Sequence, residues 1–266
     1  MIRSMLAEGL YYESDPEQLR KSLQRALANT SATPGHSRTV VAPYGAYSIT
    51  LPYVMKALRT VLDRRPEMII LLAAPHADTR GRVLLPESTS FSTPFGELPI
   101  ETETLSSLAK SSTIFQFDEV AHLQNHSLEL MLPPLHYLFG PVPLLPLLVE
   151  ELTPLEIRYV ARTLSHLVMT REVVTLVSAN LSGFTTPREA DARARNMIRL
   201  IMDAPGEAIL APLETISSPP RSLSPLAVGH ILAGDTTRPS LLSRGTFETD
   251  YHGETASVVF ASIAYI

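Results

Sequence analysis

The side chains with chemistry to offer are few and scattered. His76 follows seven consecutive apolar residues, Met68 to Ala74, and a proline. Such a run reads as a strand buried on both faces that empties into a loop, and ligands of open α/β sheets sit at the carboxyl ends of the strands. A histidine there can ligate a metal, move a proton, or only satisfy loop backbone groups. His122 and His126 stand four apart with Glu129 three residues on, the spacing of a helical zinc pair with a carboxylate nearby. Against that, Asn125 or Ser127 has the character of a helix cap, which leaves His122 outside the helix and spoils a shared face. Ser178 or Ser182 with His76 or His126 offers a nucleophile and a base, but no acid is placed to orient the histidine and no Gly-x-Ser-x-Gly elbow is present. Asp250-Tyr251-His252-Gly253-Glu254 reads as a turn.

The elements that must position these groups alternate in type. Ser14-Asp15-Pro16-Glu17 starts a helix, with Asp or Ser as cap, and Leu19, Leu23, Ala26 and Leu27 follow at helical spacing. Arg38 to Ala42 is a short strand, Gly45 permits a tight turn, and a helix over 50–63, interrupted early by Pro52, delivers the chain to the central strand. Beyond His76, residues 81–85 and 90–100 form a β excursion turning at Thr93-Pro94-Phe95-Gly96. Residues 101–110 form a helix, 113–117 a strand, and the His122–Leu132 stretch runs into a helix ending near Phe139. Val142 to Val149 is a buried strand made irregular by Pro143 and Pro146. Thr153-Pro154 caps a helix to Met169, Val173 to Ser178 is a β-branched strand, and helices follow over 187–202, 206–213 and 224–233. The last two strands, 240–249 and 256–264, pair as antiparallel neighbours. The alternation gives one α/β domain over residues 1–266, a mixed, mostly parallel central sheet flanked by helices.

Composition narrows the function. A net charge of −5 with 18% charged residues and no Lys/Arg cluster disfavours nucleic-acid binding. The chain has no cysteine, which removes disulfides, thiolate nucleophiles and Cys-ligated metals and fits a cytoplasmic location. The first residues break their apolar run too early for a signal peptide, and no apolar segment approaches the roughly 20 residues of a spanning helix, so no membrane partner is expected. No Gly-x-Gly-x-x-Gly and no P-loop supports nucleotide binding.

Several stretches, taken in order, resemble the Memo family, related in fold to the class III extradiol dioxygenases. Gly9-Leu10-Tyr11-Tyr12 resembles its Gly-x-Trp-Tyr opening, Ala42-Pro43-Tyr44-Gly45-Ala46-Tyr47 its Ala-Pro-His-Ala-Gly-Tyr loop, and Leu72 to His76 its Leu-Gly-Pro-Ser-His segment. Thr93-Pro94-Phe95-Gly96 is similar to its Thr-Pro-Leu-Gly turn. Asn125-His126-Ser127-Leu128-Glu129, with Leu132-Pro133 beyond, matches its Glu-His-Ser-Leu-Glu…Leu-Pro block, the most specific of all. Val177 to Ser182 falls where the family has Ser-Ser-Asp-Phe-x-His.

The resemblance implies a dioxygenase-like fold and a metal pocket, but the coordinating residues differ. Carried over position by position, the family's two loop histidines become Tyr44 and His76, its cysteine Ser217, its aspartate Ala179 and its last histidine Ser182. A catalytic divalent metal generally needs about three protein ligands, and this set is poor in them. The expectation is therefore a divergent member without a cofactor, a binding or scaffold module for a protein or small-molecule partner, with the homo-oligomeric state open. The alternative is an enzyme using His76 and His126 as acid/base or as ligands of iron, copper or zinc, with Tyr44, Ser178, Ser182 and Ser217 lining the pocket.

Overall fold

A computed structural model describes residues 1–31, 37–76, 80–213, 220–251 and 253–266. Strand β1 (Ile2–Arg3) is followed by α1 (Pro16–Ala28), where Asp15 accepts from the Gln18 N–H at 2.7 Å, closing an otherwise unpaired helical donor. Next come β2 (Thr39–Ala42), α2 (Tyr47–Arg59), β3 (Met68–Ala73), β4 (Val83–Leu85), β5 (Ser90–Thr93), β6 (Gly96–Pro99), α3 (Thr102–Ser111) and β7 (Phe115–Phe117). Three short helices, α4 (Glu119–Gln124), α5 (His126–Glu129) and α6 (Leu132–Phe139), lead to β8 (Leu144–Val149), α7 (Pro154–Thr170), β9 (Val173–Ser178) and α8 (Pro187–Asp203). A 3-10 turn (Gly206–Ile209), α9 (Leu210–Leu213), α10 (Leu223–Ala233) and the hairpin β10 (Pro239–Tyr251)–β11 (Glu254–Tyr265) complete the described elements.

Among the described residues the main sheet has eight strands in the order β10-β11-β2-β9-β3-β8-β4-β7. Its centre, β2-β9-β3-β8, is parallel throughout, while β11 joins β2 and β4 joins β8 antiparallel. Every residue of these four central strands is buried, as their continuous apolar runs require for strands covered on both faces. A small second sheet, β1-β5-β6, turns at Pro94-Phe95. The mixed, mostly parallel α/β sheet flanked by helices is the fold read from the sequence.

Differences from the sequence reading are local. Helix α2 begins at Tyr47 rather than Thr50 and runs through Pro52, because tertiary bonds fix its first turn: the Tyr47 N–H donates to Tyr11 O at 2.8 Å and its hydroxyl to Leu130 O at 2.7 Å. The helix expected to run on to Phe139 is split into α5 and α6, where Pro133 and Pro134, lacking N–H donors, occupy the start of the second piece. Pro146 sits within β8, opposite Leu71. On the other side of that strand β4 pairs only with Leu148 and Val149, so the missing donor falls in a gap. Among the described residues no helix is long and apolar enough to cross a membrane.

Candidate functional site

Because β2, β9, β3 and β8 are parallel, they discharge at one edge of the sheet. Tyr44 follows β2, His76 follows β3, Ser178 ends β9, and Glu150 follows β8. The α4–α5 junction is fastened to this edge by Asn125. Its Oδ1 accepts from the Leu128 N–H at 2.9 Å and the Ser127 hydroxyl at 2.7 Å, and its Nδ2 donates to Ala74 O at 2.9 Å. Ser178 Oγ adds a bond to Ser127 O at 2.7 Å. His126, the first residue of α5, is thereby held over the exit of β3.

The result is a cluster of rings. His126 lies 4.1 Å from His76 between ring centroids, stacks on Tyr11 at 5.1 Å, and meets Tyr44 edge-on at 6.1 Å. The backbone N–H of His126 donates to Nε2 of His76 at 3.3 Å. That N–H belongs to the first turn of a helix and has no intrahelical acceptor, so the imidazole serves as its cap. Nε2 must therefore carry the lone pair, which puts the proton of neutral His76 on Nδ1.

Electrostatics keep the cluster uncharged. Burial, with the neighbouring His126 and Arg221, lowers the His76 pKa to about 4. Burial also lowers that of His126, opposed by Glu129, and raises that of the Tyr44 phenol. Arg221 donates to His76 O. Asn180 donates to Tyr44 O at 3.1 Å and accepts from Ser222 Oγ at its own carbonyl, while its buried Oδ1 has no partner among the described residues.

A scaffold of buried polar groups supports this arrangement from behind. Arg3 Nη2 lies 3.1 Å from Glu129 Oε2, and Glu129 also accepts from the Leu6 and Ala7 N–H groups and the Tyr12 hydroxyl. Arg3 donates to His122 O and Asn125 O.

Comparison with known proteins decides the ancestry. The family model described as Memo-like protein matches residues 3–218. The chain belongs to the Memo-like family. A MEMO1 family protein of Metallosphaera sedula is 23% identical, and one of Sulfolobus acidocaldarius 26% identical, each match covering 97% of both chains. The crystal structure of an uncharacterized protein from Escherichia coli K12 superposes with a TM-score of 0.51 at 14% identity, covering 85% of this chain and 98% of that one, a likeness of fold alone.

In this Memo-like protein the described positions that the resemblance assigns to a metal offer few open donor atoms. Tyr44 offers a phenol whose pKa burial raises, and His76 Nε2 is already accepting a hydrogen bond. Ser182 Oγ, 4% exposed, accepts from the Val259 N–H at 2.9 Å, and Ala179 has no donor atom on its side chain. Ser217 lies outside the described residues, as does His252 of the terminal turn. Among the described residues no three His, Cys, Asp or Glu side chains converge.

The zinc-like spacing of His122, His126 and Glu129 does not survive folding. Asn125 caps α5 as read, but His122 belongs to its own helix, α4, with its Nε2 2.9 Å from Leu84 O. Glu129 is engaged by Arg3 and the N-terminal loop. Ser178 and Ser182 are both buried with their hydroxyls on backbone groups, and among the described residues neither bonds to a histidine. Sequence reading missed the roles of Asn180 and Arg221 and the bond from Asn125 to Ala74 O. Tyr11 in the Gly-Leu-Tyr-Tyr opening, Asn125 in the Asn-His-Ser-Leu-Glu block and Asn180 in the Val177–Ser182 stretch lay inside family-like segments, whereas Arg221 carried no signal.

Proposed function

We propose that this Memo-like protein is a non-catalytic binding module whose ring cluster, Tyr11, Tyr44, His76 and His126, receives a neutral planar group of a protein or small-molecule partner. One observation carries the reading: the His126 N–H occupies the His76 lone pair that a metal or a proton would need. The lowered histidine pKa values and the raised Tyr44 pKa support it, since all three rings are then neutral near pH 7. A cytoplasmic location belongs to the same proposal and is supported by the cysteine-free composition.

The test is elemental analysis of protein purified without chelators, then equilibration with iron, copper and zinc. Only substoichiometric, dialysable ion is expected. A stoichiometric ion that His76→Ala removes overturns the reading. In parallel, indole titrated into labelled protein is expected to move the amides of Tyr11, Tyr44 and His126 saturably; amides that stay still count against the cluster as a receptor.

A second reading, an enzyme, draws on His126: its ring nitrogens bond to no described residue and lie beside His76 and Tyr44. It requires a turnover that His126→Ala abolishes, which the binding module does not.

A further inference from the structure

A separate cavity of about 560 Å³ opens at the carboxyl ends of β3 and β8, its wall including Ala74, Pro75, Val149 and Leu223. Its size is that of a small-molecule site, and its place is where α/β sheets bind ligands. One lining residue is unaccounted for among the described residues. Glu150 is 2% exposed, its side chain makes no hydrogen bond to a described residue, and its Oε2 is buried without a partner. A carboxylate taken out of water without a compensating donor is costly, so an unpaired one on a residue of the cavity wall points to a missing donor.

The other polar groups of the wall are engaged. Glu151 pairs with Arg80 at 3.2 Å. Glu156 Oε2 accepts from the N–H and the hydroxyl of Thr153 in the capping box of α7. Ser224 Oγ accepts from the Leu152 N–H at 3.0 Å, and Arg221 donates to His76 O. The described lining thus sets three carboxylates, Glu150, Glu151 and Glu156, against two guanidiniums, Arg80 and Arg221. Glu150 holds the excess negative charge. A metal ion finds too few ligands here, because the two neighbouring carboxylates are occupied; a singly charged nitrogen donor with an apolar body meets both the charge and the walls.

We propose that this cavity is a binding site for a small organic monocation, an alkylammonium or related amine, with Glu150 as its counter-charge. The proposal is independent of the ring cluster and of whether that cluster binds or catalyses. Pentylammonium and its neutral analogue 1-pentanol are the probes, read by thermal shift and calorimetry on the full chain. Pentylammonium is expected to bind saturably and raise the melting temperature, and the alcohol to do neither. In Glu150→Gln, which keeps the side-chain shape, pentylammonium affinity falls by about tenfold or more, the loss of one charge-assisted hydrogen bond. Unliganded Glu150→Gln is expected to melt no lower than the parent, since it removes an unpaired buried charge. Equal responses to amine and alcohol, no response to the amine, or undiminished amine affinity in Glu150→Gln overturns the proposal. The amine–alcohol comparison on the parent chain decides it even if the variant does not fold.

Discussion

Arg3 and Glu129 form an ion pair 3.1 Å long in which neither side chain touches solvent. The pair joins residues 126 positions apart and links β1 to the helix that begins with His126. Arg3 also lies 5.2 Å over the ring of Phe91 and supplies donors to the carbonyls of His122 and Asn125. Removing Arg3 leaves the buried Glu129 carboxylate without its counter-charge and takes one donor from each of two carbonyls, so Arg3→Met is expected to cost about 3–5 kcal/mol. Urea unfolding measures this. A loss under about 1 kcal/mol shows that the pair is dispensable to the scaffold of the ring cluster.

Acid should weaken the fold through its neutral histidines. His122 is fully buried, its Nδ1 has no partner among the described residues, and burial lowers its pKa from 6.5 to about 4. His76 is lowered to about the same value. Between pH 6.5 and 4 the unfolded chain therefore binds protons that the folded chain refuses. The stability from this source is complete above pH 6.5 and drains away as the pH falls toward 4. Replacing His122 by Gln removes one such proton and should flatten the stability–pH slope between pH 6 and 5 by about 1 kcal/mol per unit. Identical slopes in parent and variant would mean that His122 already titrates normally in the fold.

Helix α10 lies so close to the sheet that its glycine is a spacer. A Cβ on Gly229 would stand 2.4 Å from Cγ2 of Val177, a short branched side chain near the end of β9. Alanine gains about 1 kcal/mol in helix propensity, but overpacking a rigid core costs roughly 1–3 kcal/mol. Gly229→Ala should therefore lower the melting temperature. Paired with Val177→Ala, which opens the space, its added cost should shrink. A double-mutant cycle showing simple additivity would contradict the contact.

Much of this was written into the chain's local pattern. The apolar runs of β2, β3, β8 and β9 are continuous because those strands are buried on both faces, and that continuity is visible without a structure. The caps at Asp15, Asn125 and Thr153 were legible for the same reason, since a cap is a bond between residues three apart. So were the terminal hairpin and the placement of His76 at the exit of a central strand.

What the sequence could not assign was which polar groups are already spent. Spacing allowed His122, His126 and Glu129 to share a metal, whereas folding gave Glu129 to Arg3, turned His122 to Leu84 O, and set the His126 N–H on His76. The serines 178 and 182 looked available until β11 and α5 supplied backbone partners for them. Nothing in the local pattern marks Glu150, and only tertiary packing leaves it buried beside a cavity. Local periodicity fixes elements because it acts over a few residues. The partners of a buried polar atom come from anywhere in the chain, and only the folded backbone brings them within 3 Å or so.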